Sequence, residues 1–116
     1  MAYNTPQNPT ILPIAQSAIP ATVTTVYTVP AKSRTWVETI DIVNTNSTAT
    51  TFDVYFVPQN GTAGTGNAMF YQQTLQPKQN LQWTGIQVID SLSTIQVNGS
   101  ATGVTIRISG ETYAYY

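Results

Sequence analysis

The chain of 116 residues contains no cysteine and no histidine. The first absence removes thiol nucleophiles, cysteine-ligated zinc and disulfides together, and it leaves the cellular compartment open. The second removes the commonest general acid or base. Charge is scarce: four Lys or Arg and five Asp or Glu make up 8% of the residues, where a globular chain typically has about 25%. The net charge is −1 and the pI about 4.9. Lys32, Arg34, Lys78 and Arg107 are too few for the phosphate-neutralising stripe on which nucleic-acid binding depends. No apolar run approaches the roughly 20 residues of a membrane-spanning helix. The opening MAYNTPQNP has neither the basic nor the apolar region of a secretory signal. The expected partners therefore include no nucleic acid and no membrane.

What is there instead is Thr, Asn, Gln and Ser around a 41% hydrophobic content. Disorder goes with low hydrophobicity and high net charge, and neither holds. The length fits one domain with a single core. A neutral polar surface suits a protein packed against neighbours, since a free monomer usually keeps more charge. A homo-oligomer is expected.

Short β-branched and aromatic runs recur about every ten residues with turn signals between them, and no segment keeps helical periodicity over three turns. Thr22 to Val29 reads as a strand, as do Ala68 to Leu75, Leu81 to Trp83 with Ile86 to Ile89, Leu92 to Val97, and the alternating Val104 to Ser109. Arg34 to Asn44 and Thr50 to Val57 read as a long hairpin around the polar turn 45–49. With residue 47 at the centre, Ile40 falls opposite Val54 and Ile42 opposite Phe52. Ile40, Ile42, Phe52, Val54 and Phe56 then form a buried row. The fold class expected is all-β: an antiparallel β-sandwich, a jelly roll of roughly eight strands, with an immunoglobulin-like strand order as the alternative.

The five carboxylates are Glu38, Asp41, Asp53, Asp90 and Glu111. The hairpin register sets Asp41 opposite Asp53, where like charges destabilise a sheet unless a hard cation, Arg107, Arg34 or a partner neutralises them. The plainer reading is a slipped register or an exposed, water-screened pair. The same register turns Glu38 inward, which is costly without a partner. A β-bulge near Trp36 and Val37 would rotate it out. Gly61, Gly64 and Gly66 superficially suggest a phosphate loop, but the segment leads into a strand and has no Lys; flexibility is its expected role. Three Asn-x-Ser/Thr triplets, at Asn46, Asn60 and Asn98, fall at turns in a chain rich in these residues. Trp36, Trp83, Tyr71 and the terminal tyrosines are candidates for a sugar platform, although buried or interface aromatics are the plainer reading. No catalytic constellation emerges, so no enzyme activity, no cofactor and no metal are expected.

Pro6, Pro9, Pro13 and Pro20 break any helix in the first twenty residues. Residues 1–20 are therefore read as an extended arm docked on a neighbouring subunit, a disordered tail being the alternative, with the sandwich domain at 21–116. Tyr3, Pro6, Pro9, Ile11, Leu12, Ile14 and Ile19 are the expected partner-binding residues. Thr10 to Leu12 is the candidate for adding a strand to a neighbour's sheet.

Three stretches also carry a family likeness. Tyr27-Thr28-Val29-Pro30-Ala31-Lys32, Ile40-Asp41-Ile42-Val43-Asn44-Thr45, and Val54-Tyr55-Phe56-Val57-Pro58 with Gly61-Thr62-Ala63-Gly64 resemble, in this order, small virion proteins of tailed bacteriophages. The resemblance covers about residues 22–110. It implies a β-sandwich module on a head or tail, most similar to capsid decoration or cement proteins, which form trimers at capsid surfaces and clasp neighbours with an N-terminal arm. It thus implies a homotrimer located in the virion, with the major capsid protein or other virion subunits as partners. A tail, neck or fibre component, or a carbohydrate- or receptor-binding β-sandwich, is the alternative.

Overall fold

The structure, a computed structural model, describes residues 12–115. It contains eight strands: β1 (Leu12–Ala18), β2 (Thr24–Thr28), β3 (Ser33–Asn44), β4 (Thr50–Val57), β5 (Ala68–Leu75), β6 (Asn80–Ile89), β7 (Thr94–Gly99) and β8 (Val104–Ala114). They form two four-stranded antiparallel sheets, ordered β1-β8-β3-β6 and β2-β7-β4-β5. The pairs nest: β1 with β8, β2 with β7, β3 with β6 and β4 with β5. A ribbon of nested pairs rolled into two sheets is the jelly-roll order expected from the strand pattern.

The central hairpin is a correction. β3 and β4 occupy the predicted residues but lie in different sheets, and β3 is paired to β6 and β8 while β4 is paired to β5 and β7. Ile40 and Ile42 therefore meet Phe52 and Val54 across the core instead of along a shared ladder. All four are at most 1% exposed. A period of two dictates which face is apolar and is silent about which strand lies alongside. Phe56 also departs from expectation, being only half-buried against the core, while Val57 is fully buried.

The arm boundary is a second correction. Residues 12–18 are the edge strand β1, in register with β8 from Leu12 opposite Gly110 to Ala18 opposite Thr105. Ile19 is 1% exposed inside the core, and its N–H donates to the Val104 carbonyl at 2.8 Å. Pro13 is tolerated because an edge strand has one side free of ladder bonds. The sandwich thus begins by Leu12, about one strand earlier than proline content suggested.

Glu38 behaves as predicted. The register of β3 against both β6 and β8 shifts between Val37 and Thr39, so Glu38 is the bulged residue, partly exposed, and Val37 and Ile40 both point inward. The bulge draws the backbone of β3 against β8. A Cβ on Gly110 would overlap the Trp36 carbonyl oxygen, so only glycine fits there.

Polar ties close the two ends of the sandwich. At one end, the Tyr27 hydroxyl of β2 lies 2.8 Å from Thr112 Oγ1, which is 2.7 Å from the fully buried Thr35 Oγ1, joining one sheet to the other. At the opposite end, Asn44 is 0% exposed. Its Nδ2 donates to the carbonyls of Thr48 at 3.0 Å and Gln76 at 3.1 Å, and its Oδ1 accepts from the Asn46 N–H at 3.0 Å. Asn46 in turn donates to the Thr102 carbonyl. One side chain thus satisfies both its donor and its acceptor while locking neighbouring turns.

Candidate functional site

The outer face of the β1-β8-β3-β6 sheet divides into an aromatic end and a polar groove. Thr35 and Val37 are fully buried, so Trp36 between them points outward. Val88 of β6 stands opposite Trp36 on one side and Glu111 of β8 on the other. One step along, Arg34 stands opposite Tyr113. The rings of Trp36 and Tyr113 meet edge to face, with centroids 5.6 Å apart and planes at 85°. The Arg34 guanidinium lies 5.3 Å from the centroid of the Tyr115 ring, and its Nε donates to Asp90 Oδ1 at 2.8 Å. The Asp90 carboxylate first, then the Tyr113 hydroxyl, holds Arg34 more firmly protonated than an ordinary arginine. Both members of this ion pair are well exposed, so water screens it and it adds little stability. Its effect is to orient the guanidinium against the tyrosine.

Exposed large apolar side chains gather at this end. Ile86 at the β6 bulge is 66% exposed and Val88 51%. Tyr113, Tyr115 and Leu92 of the β6–β7 turn are also exposed. An apolar group this size on an otherwise neutral polar surface marks an interaction site more often than an accident of composition.

The other half of the face is polar. Gln16 of β1, Arg107 of β8, Asp41 of β3 and Gln82 of β6 stand in one row across the whole sheet. The next outward row runs Ala18, Thr105, Val43 and Asn80. All of these but Gln82 line a shallow groove of about 500 Å³.

Of the candidate aromatics, Trp36, Tyr113 and Tyr115 come together through Arg34. Trp83 does not join them, because it stands opposite the inward-facing Ile40 and packs on the core. Gly85 makes room for its ring: a Cβ there would lie 2.8 Å from Trp83 Cζ2. Tyr71 is on β5 in the other sheet. Asp41 and Asp53 are likewise separated, since β3 and β4 belong to different sheets. Asp41 has Arg107 as its cross-strand neighbour. Asp53 is buried on the far face, accepting the Gln72 N–H at a β5 irregularity where Gln72 has φ 49°. The glycine-rich loop is not merely flexible. Asn67 Oδ1 accepts the Gly64 N–H and its Nδ2 donates to the Thr62 carbonyl, each near 3 Å.

Among the expected partner-binding residues, Tyr3, Pro6, Pro9 and Ile11 lie outside the described residues. Leu12 heads β1. Ile14 is half-buried against the chain's own core, and Ile19 is fully buried in it, which leaves Ile19 no surface to offer a neighbour. The sequence marks Asp90 only as one of five carboxylates and Val88 only as part of a strand. The signal for Tyr113 was present: the outward parity of Thr105, Arg107 and Ser109 continues through Glu111 to Tyr113.

No protein-family model and no curated protein matches this chain. Among solved structures, a chain in the structure of infectious bursal disease virus, Gx strain, is similar to it, with 12% identity and a TM-score of 0.40. The match covers 90% of this chain and 30% of that one, so this chain spans under a third of its distant structural neighbour. A likeness this remote bears on neither activity nor partner.

Proposed function

We propose that the chain is a structural subunit of a virus particle, a capsid decoration or cement protein of the tailed-phage type. In this reading it attaches to the major capsid protein or its neighbours through the aromatic end of the β1-β8-β3-β6 face. It works as a homo-oligomer, a trimer in line with the proteins its motifs resemble, and performs no catalysis. The observation that carries the reading is the cluster of Ile86, Val88, Tyr113 and Tyr115 around Trp36 on a rigid sheet. Aromatic and arginine side chains are the usual anchors of protein interfaces, and the Arg34–Tyr115 stack holds two of them in place before binding. The low charge supports the same role, because neutral surfaces are easier to desolvate against a partner.

The test is a particle experiment. Val88→Lys places a charge at an exposed position and should leave the melting temperature unchanged, yet abolish binding to shells that lack the protein. Full occupancy by Val88→Lys would refute attachment through this face. A tail, neck or fibre role uses the same surface and is separated by position: localisation in intact particles to the tail, at low copy number, would replace the capsid assignment.

A further inference from the structure

We propose that the polar groove of the β1-β8-β3-β6 face is a second binding site, for a neutral saccharide. Its floor is a paired sheet, reaching from β1 to β6. Across it run Gln16, Arg107 and Asp41 in cross-strand register, with Asn80 beside them. Asp41 and Arg107 are neighbours, yet they form no ion pair, and the described residues offer neither of them a hydrogen bond. Two of the chain's few charges, of opposite sign, thus share one groove.

The chemistry of the set selects the ligand. The carboxylate only accepts, the guanidinium only donates, and the amides of Gln16 and Asn80 do both. A sugar ring presents hydroxyls that donate and accept in alternation around a flat edge, which this mixed row can satisfy. The two charges cancel, so an anionic or cationic ligand gains nothing overall. Ala18 and Val43 give the floor an apolar strip for the C–H face of the ring. The groove, at about 500 Å³, lies within the ~300–1,000 Å³ range of small-molecule sites, enough for one or two sugar rings.

The groove is distinct from the aromatic end, so this inference stands or falls apart from the attachment reading. The experiment is a titration of the ¹⁵N-labelled full chain with methyl glucoside, methyl galactoside and N-acetylglucosamine, with glycine as a zwitterionic control. Saturable millimolar shifts of the Gln16, Asp41, Asn80 and Arg107 amides with at least one sugar are expected. Asp41→Asn and Arg107→Gln should each weaken that binding by roughly tenfold, which is about 1.4 kcal/mol, with melting temperatures retained. Val88→Lys should leave the titration unchanged. Four results overturn the proposal: no saturable shift with any sugar, saturable shifts centred on Trp36 and Tyr113, undiminished affinity in both groove variants, or a response to glycine alone.

Discussion

Ile19 decides where this domain begins. It lies in the segment that proline content marks as an arm, yet it is 1% exposed, and its Cγ2 would sit only 3.0 Å from a Cβ on Gly99. Its own N–H bonds to the Val104 carbonyl, and the carbonyl of Pro20 accepts from Gly99. Shortening it to Ala removes buried methyl groups and leaves a cavity under a segment fixed at both ends, so the site cannot collapse. Substitutions of this kind cost about 2–5 kcal/mol, a large part of the roughly 5–15 kcal/mol that holds a small domain together. With a urea m-value near 2 kcal/mol/M, a loss of about 3 kcal/mol lowers the unfolding midpoint by about 1.5 M. Equilibrium titration followed by tryptophan fluorescence reads this directly. A parallel pair of truncations sharpens it. A chain starting at Leu12 keeps β1, whereas one starting at Ala21 loses β1 and Ile19 and should unfold well before it or fail to fold. An Ile19→Ala loss under about 0.5 kcal/mol, the size expected at a surface, together with an unchanged Ala21 truncation, would show that residues 12–20 are peripheral after all.

The remaining predictions are briefer. Phe52→Ala should cost about 3–5 kcal/mol and Phe56→Ala distinctly less, because Phe52 is fully buried and Phe56 only half; equal losses on denaturant titration would contradict the facing of β4. Asn44→Ala strips the donor from the Thr48 and Gln76 carbonyls and the acceptor from the Asn46 N–H. At about 1–3 kcal/mol per buried group left unsatisfied, it should destabilise more than Asn60→Ala in the exposed loop, and parity between them in thermal melts would refute the tie. Burial first, and then the nearby Asp53 charge, push the Tyr55 hydroxyl above its ordinary value. A raised folded pKa favours the protonated form, so this contribution is whole below the unfolded value of about 10 and is lost as pH climbs through the folded one. Tyr55→Phe should therefore flatten the alkaline limb of the stability profile, and an unchanged limb would count against it.

Strand positions were legible because burial imposes a period of two, and both β3 and β4 were located almost to the residue. Their partners were not legible. A five-residue polar connection closes a hairpin or steps between two sheets equally well, and nothing in residues 45–49 separates the cases. The Glu38 bulge could be inferred because a lone carboxylate in an apolar row is too expensive to leave buried. Gly110, whose missing side chain admits the bulged strand, carries the same information from the other side. β1 was missed for the opposite reason. Proline weighs heavily against a strand, but only where both sides of the backbone must pair, and edge position is a property of topology. The aromatic end was half-visible: its residue types were noticed, but Trp36 and Tyr113 are far apart in sequence and meet only because β8 pairs with β3 past the bulge.

The four edge strands say how such a protein avoids the wrong neighbours. β1, β2, β5 and β6 contain no charged residue, although lysines on edges are a common guard against strand-to-strand aggregation. Each of these strands is instead irregular in its ladder. The register shifts between Pro13 and Ala15 in β1, between Thr25 and Tyr27 in β2, where Tyr71 and Gln72 are passed over in β5, and where Gly85 and Ile86 are passed over in β6. A bulge twists an edge away from the flat geometry that an incoming strand requires. Guarding by shape leaves the edges free of charge, and charge is what a subunit crowded among others would otherwise have to desolvate. Edges so interrupted are poor templates for adding a strand, which argues against a neighbour's segment extending these sheets. Association is directed to the faces, and of the faces described, the one with Trp36, Val88 and Tyr113 carries the apolar area to sustain it.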